Sequence, residues 1–338
     1  PATTKLSAPD ALKKWAARLV SGDGSPFIEP LGPLHPQRQK LHYYRHADQQ
    51  EKPQWYQKEM ESINPQAQRL LENYSGITPA EVLPHVLKLV SFFRTAFKRT
   101  AYLNRFSATR RLNFHYPCIG QLRFLSFNLS ESPHYPRVIE RLRKDPATRF
   151  LDAGCCFGQE IRFLADQGIL GKQLYGIDLE QAFLALGYQL FLDKDRLQAT
   201  LIAGDILRKG QLSQEISGKI DINCASSLLH LWDYETQLKA AVRFVSLCRD
   251  QPDVMVVGRQ MGSLSGGHYP MSGVKDEFNH YRNNVETMKG LWRDVEEATQ
   301  TRWKVEAQLY MGDEIEKVMK SPFADGNVHM VPWCATRQ

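Results

Sequence analysis

Three aspartates, one histidine and one arginine stand where they could do chemistry. Asp152, Asp178 and Asp205 each sit at or just past the end of an apolar run. The runs are Phe150-Leu151-Asp152-Ala153, Leu174-Tyr175-Gly176-Ile177-Asp178 and Thr200-Leu201-Ile202-Ala203-Gly204-Asp205-Ile206. A fourth run, Ile220 to Ala225, leads through Ser226-Ser227-Leu228-Leu229 to His230 and Trp232. A fifth, Val254 to Gly258, leads to Arg259 and Gln260. Acids at strand tips can take hydroxyls, an amino group or an ammonium. A histidine offers a general base with an ordinary pKa near ~6.5. An arginine can fork a carboxylate through two parallel hydrogen bonds.

Five apolar runs ending in polar tips need a sheet to position them. The stretch Leu151-Asp152-Ala153-Gly154-Cys155-Cys156-Phe157-Gly158-Gln159 reads as strand, glycine turn and helix start, the ligand-gripping corner of a doubly wound sheet. Cys156 and Gln159 stand where a dinucleotide fingerprint wants glycine. The loop therefore suits a ligand without phosphate, such as S-adenosylmethionine, whose ammonium Asp152 can attract. Asp178 lies close to the offset of about 20 residues at which an acid takes ribose hydroxyls, and Asp205 suits the adenine amino group. With their neighbours, the expected cofactor set is Asp152, Gly154, Cys155, Cys156, Phe157, Gly158, Asp178, Leu179, Asp205, Ile206 and Ala225. S-adenosylhomocysteine would be the product. The fold expected is α/β, a class I methyltransferase (Rossmann-like) seven-stranded sheet, mostly parallel with a reversed edge. Trp303 to Leu309 and Val328 to Cys334 read as its closing hairpin.

The glycine turn, Tyr116-Pro117-Cys118-Ile119-Gly120, Ala225 to Leu231 and Val257-Gly258-Arg259-Gln260 resemble one family, the fungal methyltransferases of meroterpenoid and related secondary-metabolite pathways. Tyr74-Ser75-Gly76-Ile77 adds to the likeness, which runs from about Glu59 to the C-terminus. The resemblance implies methylation of a small hydrophobic molecule, in several members a carboxylic acid giving a methyl ester. It also implies that Tyr116 belongs to a lid over the methionyl end of the cofactor, with Arg123 following towards the substrate.

Residues 1–145 read as a mainly helical extension and lid, and 146–338 as the cofactor-binding core. A helix is expected from Asp10, an extended Gly/Pro-rich segment over 22–36, and a helix from Thr78-Pro79 with Val82, Leu83, Val86, Leu87 and Val90 on one face. Pro84 is expected to kink it. The start, Pro1-Ala2-Thr3-Thr4-Lys5, has no signal-peptide pattern, and no apolar run reaches the ~20 residues of a membrane span. Six cysteines, at 118, 155, 156, 224, 248 and 334, show no C-x-x-C spacing. They read as reduced, buried thiols, so a cytoplasmic protein without metal is expected.

The net charge is +6. Part of the excess comes from Arg94, Lys98, Arg99, Arg105, Arg110 and Arg111, interleaved with aromatics. This stretch reads as a solvated helix end, a lid over an anionic substrate mouth, or an RNA-tracking surface. No Asp/Asn-Pro-Pro-Tyr/Phe motif follows the fourth strand, which counts against methylation of a nucleic-acid base.

Ligands in such sheets bind past the carboxyl ends of the strands. His230 and Arg259 are therefore the catalytic candidates, a base and a carboxylate holder. Trp232 and Gln260 beside them, with His268, Tyr281 and Arg282 in or near a mobile loop over 262–280, are candidate substrate contacts together with Arg123. Each has a plainer reading as loop packing or, for Arg259, an internal salt bridge such as one to Asp233. The function expected is O-methylation of a carboxylic acid or phenol. A fold relative that steers a cyclisation or rearrangement, and a nucleic-acid methyltransferase, remain alternatives. The oligomeric state, a homodimer included, stays open.

Overall fold

The computed structural model describes residues 60–103, 122–208, 216–270, 279–310 and 326–338. The expected helix from Asp10, the segment over 22–36, Tyr116 and much of the basic stretch lie outside them. Contacts divide the chain into two units. One comprises Glu61–Leu83, Phe124–Ser272 and Asp276–Gln338 and holds every strand among the described residues; the other comprises Pro1–Met60, Pro84–Arg123 and Gly273–Lys275.

The strand-bearing unit begins with helix α1, Pro65–Asn73, capped by the Asn64 side chain on the Ala67 amide. Helix α2, Pro79–Leu103, starts in this unit and is assigned without a break through Pro84, despite the amide that proline lacks. Among its described side chains, Val82, Val86, Leu89 and Val90 are buried, whereas Leu87 is 39% exposed. The apolar stripe thus lies one position round from the expected face.

Helix α3, Tyr135–Lys144, precedes β1, Phe150–Ala153. Helix α4, Gln159–Asp166, β2, Leu174–Asp178, α5, Gln181–Leu190, and β3, Thr200–Ala203, follow. Next come β4, Ile222–Cys224, α6, Tyr234–Leu247, and β5, Met255–Ser263. The chain then adds β6, Gly267–Pro270, β7, Asn279–Arg282, α7, Val285–Thr299, β8, Trp303–Ala307, and β9, Val328–Arg337.

The main sheet has the order β3-β2-β1-β4-β5-β9-β8. β1 to β5 pair in parallel and β9 is antiparallel to both neighbours. This is the class I methyltransferase order, with the reversed strand one place in from the edge. The order turns around at β1 and β4, which opens a crevice at their carboxyl ends.

Side chains alternate between two faces. Leu151, Ala153, Ile177 and Val256 pack with residues of α6 and α7, including Phe244, Leu291 and Trp292. Phe150, Leu174, Ile222 and Val257 pack with residues of α3 and α4, including Val138, Leu142, Ile161 and Leu164. Burial on both faces explains why these strands read as unbroken apolar runs rather than alternating ones. Among the described residues, no helix is long and apolar enough to cross a membrane.

β5 runs further than the sequence suggested. Its first three residues pair with β4 and its whole length pairs with β9. Arg259 and Gln260 therefore lie inside a strand, yet past the carboxyl end of β4. The loop expected over 262–280 contains the two-stranded ribbon β6–β7, with Gly267 opposite Arg282 and Tyr269 opposite His280; residues 271–278 lie outside the described residues.

Candidate functional site

The glycine corner forms where β1 ends. Gly154 has φ +81, and a Cβ there would stand 3.1 Å from the Leu228 side chain. Both that conformation and that approach favour glycine. The amides of Gly154 and Cys155 donate to the Ile177 carbonyl at 2.8 and 3.0 Å, and the Gly158 amide closes the turn onto the Cys155 carbonyl at 2.7 Å. The Cys156 amide donates to Asp178 Oδ2 at 2.8 Å, and the Glu180 amide to Asp178 Oδ1 at 2.9 Å. Asp178 thus locks the turns after β1 and β2 together.

Three carboxyl groups crowd this corner. Asp152 is buried, and burial together with the Asp178 charge raises its pKa to about 7. Burial raises Asp178 to about 7, against the pull of its hydrogen bonds from Glu180 and Cys156. Glu160, near the start of α4, is raised to about 8 by burial and then by Asp152. Its Oε1 accepts from the Leu129 amide at 2.9 Å, while its buried Oε2 has no hydrogen bond. Buried acids that repel one another are eased by a cation, which favours their ionised forms. A ligand with an ammonium and a sulfonium fits this acid-rich corner.

The other expected cofactor residues line the same carboxyl ends. Cys155, Cys156, Phe157, Ile206 and Ala225 are buried, and Leu179 is 40% exposed. Asp205, after β3, accepts from the Leu207 amide at 2.9 Å.

Arg259 stands two residues beyond Val257. Val257 is in register with Cys224, and Cys224 with Asp152, so Arg259 shares the face of Asp152. It is 6% exposed. Its Nη1 donates to Asn128 Oδ1 and lies 3.5 Å from Glu131 Oε2. The ion pair is therefore with Glu131 and not Asp233, which instead caps α6 by accepting from the Thr236 amide at 2.8 Å.

His230 lies in a one-turn 3-10 helix, Leu229–Leu231, and its Nδ1 accepts from the Met261 amide at 3.3 Å. That contact assigns the proton of a neutral ring to Nε2. Gln260 is fully buried, and neither its Nε2 nor its Oε1 has a partner. The Trp232 carbonyl accepts from the Tyr281 amide at 2.9 Å, which joins the β6–β7 ribbon to the loop after β4. Within the ribbon the His268 and Tyr281 rings meet at 5.0 Å, and the Arg282 guanidinium lies 4.5 Å over Tyr269. For Arg123 only the backbone, in a 3-10 turn, is described.

Comparison with known proteins gives the family. The family described as the meroterpenoid methyltransferase N-terminal domain matches residues 55–125. O-methyltransferase phiE of Fungal sp. is 36% identical over 254 residues, 74% of this chain and 78% of that one. The chain belongs to the fungal class I S-adenosylmethionine-dependent methyltransferases of meroterpenoid and secondary-metabolite biosynthesis. O-methyltransferase atr3 of Stereocaulon alpinum is 34% identical over 259 residues, 76% of this chain and 69% of that one. The Asnovolin E/Chermesin D methyltransferase nvfJ of Aspergillus novofumigatus is 32% identical over 248 residues, 73% and 82% of the two chains. The solved Haemonchus contortus phosphoethanolamine N-methyltransferase 2, in complex with S-adenosyl-L-methionine, is a distant likeness: TM-score 0.43, 14% identity, 72% of this chain and 59% of that one.

Sequence reasoning did not single out three residues beside the candidate site. Asn128 and Glu131 reach Arg259 only through the fold, with no local spacing to mark them, whereas Glu160 follows the glycine turn directly and its charge acts on Asp152. One mixed group of possible metal ligands occurs among the described residues: His134, Glu306 and Cys334, with ligand atoms within 4.8 Å of one another. The Arg137 guanidinium already supplies a cation there, 2.5 Å from Glu306 Oε2 and 3.7 Å from Cys334 Sγ.

Proposed function

We propose that this methyltransferase converts the carboxylate of a hydrophobic secondary metabolite into its methyl ester, in the cytoplasm. Bound S-adenosylmethionine supplies an activated methyl group with a neutral leaving group. Asp152 and Glu160 would receive its cationic end, the turn from Gly154 to Gly158 would leave room for it, Asp178 would take its ribose and Asp205 its adenine. The chain's remaining task is to hold one acceptor oxygen in line and keep water out.

The observation that carries the carboxylate reading is the Arg259–Glu131 pair. A guanidinium that is nearly buried, on the face of Asp152, already meets a carboxylate oxygen at 3.5 Å. The Glu131 side chain is 61% exposed, so an entering acceptor carboxylate can take its place at little cost. The His230 geometry supports the same choice. Its Nδ1 is engaged by the Met261 amide, and a base needs a bare nitrogen. An ionised carboxylate needs no base.

The test offers the purified protein a hydrophobic terpenoid carboxylic acid and a hydrophobic phenol, each with S-adenosylmethionine. Expected are S-adenosylhomocysteine and a product whose methyl is lost on mild alkaline hydrolysis, as an ester's is. An alkali-stable methyl ether from the phenol alone would overturn the carboxylate reading.

A further inference from the structure

We propose that Tyr74, Asp193 and Arg162 form a positioning relay that sets the glycine turn for its ligand; the proposal rests on the reading that this turn holds S-adenosylmethionine. Arg162 lies on α4, one turn after the glycine corner, and its side chain and that of Asp193 are both 0% exposed. The pair is forked: Nε donates to Asp193 Oδ2 at 2.8 Å and Nη2 to Oδ1 at 3.1 Å. The remaining nitrogen points at the turn. Nη1 donates to the Phe157 carbonyl at 2.8 Å and to the Gly158 carbonyl at 3.3 Å.

The turn is shaped to this guanidinium. Gly158 has φ +69, and a Cβ there would lie 2.5 Å from Arg162 Nη1. On the other side, a Cβ on Gly187 of α5 would lie 2.2 Å from the Phe157 carbonyl oxygen. The Arg162 guanidinium also faces the rings of Phe191 at 4.9 Å and Tyr188 at 5.2 Å. Arginine suits such a place because its planar fork fixes direction as well as charge.

Asp193 carries the contact onward. The Tyr74 hydroxyl donates to its Oδ2 at 2.9 Å. Burial, then the Asp193 charge, holds that hydroxyl far above the ordinary tyrosine range, so it stays a donor. The Tyr74 ring lies 4.2 Å beneath the Arg196 guanidinium and meets Phe191 edge-on at 6.4 Å. Tyr74 belongs to the stretch matched by the N-terminal family description, 55–125. A residue of that stretch therefore reaches two carbonyls of the glycine turn through two side chains.

A buried ion pair is a weak source of stability, since apolar residues of the same volume often replace it without loss. This one does what apolar packing cannot do: it fixes the direction of two peptide groups. Sites held by such supporting contacts lose ligand affinity when the support loosens, even though no ligand contact is removed.

The experiment uses the full chain with S-adenosylhomocysteine as probe in calorimetry, and initial rates against S-adenosylmethionine with whichever acceptor proves active. Tyr74→Phe removes one hydroxyl and keeps the ring. It should weaken S-adenosylhomocysteine binding about fivefold to tenfold, raise KM for S-adenosylmethionine in step, and leave kcat at saturation within about twofold. Arg162→Lys keeps the charge without the fork and should weaken binding more than about tenfold. Tyr234→Phe removes a like hydrogen bond, to Asp294 at 2.5 Å, and should leave S-adenosylhomocysteine affinity unchanged. If Arg162→Lys does not fold, Tyr74→Phe decides alone. Unchanged affinity in Tyr74→Phe overturns the relay, as does an equal loss in Tyr74→Phe and Tyr234→Phe. Failure of the unaltered protein to bind S-adenosylhomocysteine overturns instead the cofactor reading beneath it.

Discussion

Asp178 accepts the Cys156 amide at 2.8 Å, so the acid at the tip of β2 holds the turn that follows β1. Cys156 has φ +53, a left-handed conformation costly for a residue with a side chain. The hydrogen bond helps to hold it there. Asp178 therefore shapes the turn, in addition to the ribose contact proposed for it. Asp178→Ala should weaken S-adenosylhomocysteine binding by about 1–3 kcal/mol and lower stability by a similar amount, because buried donors lose their partner. Asp178→Asn keeps one acceptor oxygen and should fall between. Calorimetry and thermal melts separate the two tasks; unchanged affinity in Asp178→Ala would remove this residue from the ligand site.

Gly154 offers a cleaner probe of the corner itself. Its φ of +81 and its distance to Leu228 oppose any β-branched replacement. Gly154→Val should abolish detectable S-adenosylhomocysteine binding, while circular dichroism still reports the sheet. Binding within about threefold of the original would show that no ligand approaches this backbone.

The acid cluster makes stability and binding depend on pH in opposite ways. Asp152 and Asp178 sit at about 7 and Glu160 at about 8 in the folded chain. In the unfolded chain such groups ionise near ~4. Between those values the folded chain holds protons that the unfolded chain has lost. The stability tied to these groups is complete below about 4 and is lost as pH rises through about 7 to 8. Without ligand, Tm should fall as pH rises from about 6 to about 9. S-adenosylmethionine brings positive charge and favours the ionised acids, so its binding should tighten over the same window and release protons. Calorimetry in two buffers of different ionisation heat measures that release. A flat Tm and no buffer dependence would remove these acids as the seat of the cation.

How much of this was legible before the fold was known follows from what each residue depends on. The five strand runs and the glycine turn are local patterns, since buried parallel strands carry unbroken apolar runs and each tip is fixed by its own neighbours. Asp152, Asp178 and Asp205 could be placed that way. Arg259 was singled out from the sequence, but its partner Glu131 was not. Glu131 and Asn128 lie in a turn before α3, and only the register of β1, β4 and β5 brings Arg259 under them. Tyr74, Arg162 and Asp193 are distant in sequence, and a buried ion pair leaves no mark in periodicity. The extended β5 was missed because four of its last five residues, Arg259, Gln260, Gly262 and Ser263, are polar or small. Pairing with β9 rather than hydrophobicity holds them in the sheet.

Variants of Arg259 and His230 tell the two proposed chemistries apart. If the acceptor is a carboxylate, Arg259→Met should lower kcat/KM by about 2–5 kcal/mol in transition-state binding, because a buried charged acceptor loses its partner. His230→Gln should then be mild, since the nucleophile is ionised at neutral pH without help. If the acceptor is a phenol, His230→Gln should cut the rate by about 10²–10⁴ and abolish a rate–pH limb near the histidine range. Glu131→Gln separates these cases further. It removes the carboxylate that occupies Arg259 in the free protein, so it should lower KM for a carboxylate acceptor and leave KM for a neutral one alone. All three variants are compared by kcat/KM on one active acceptor at saturating S-adenosylmethionine. Full activity in both Arg259→Met and His230→Gln would move the acceptor away from the carboxyl ends of β4 and β5 altogether.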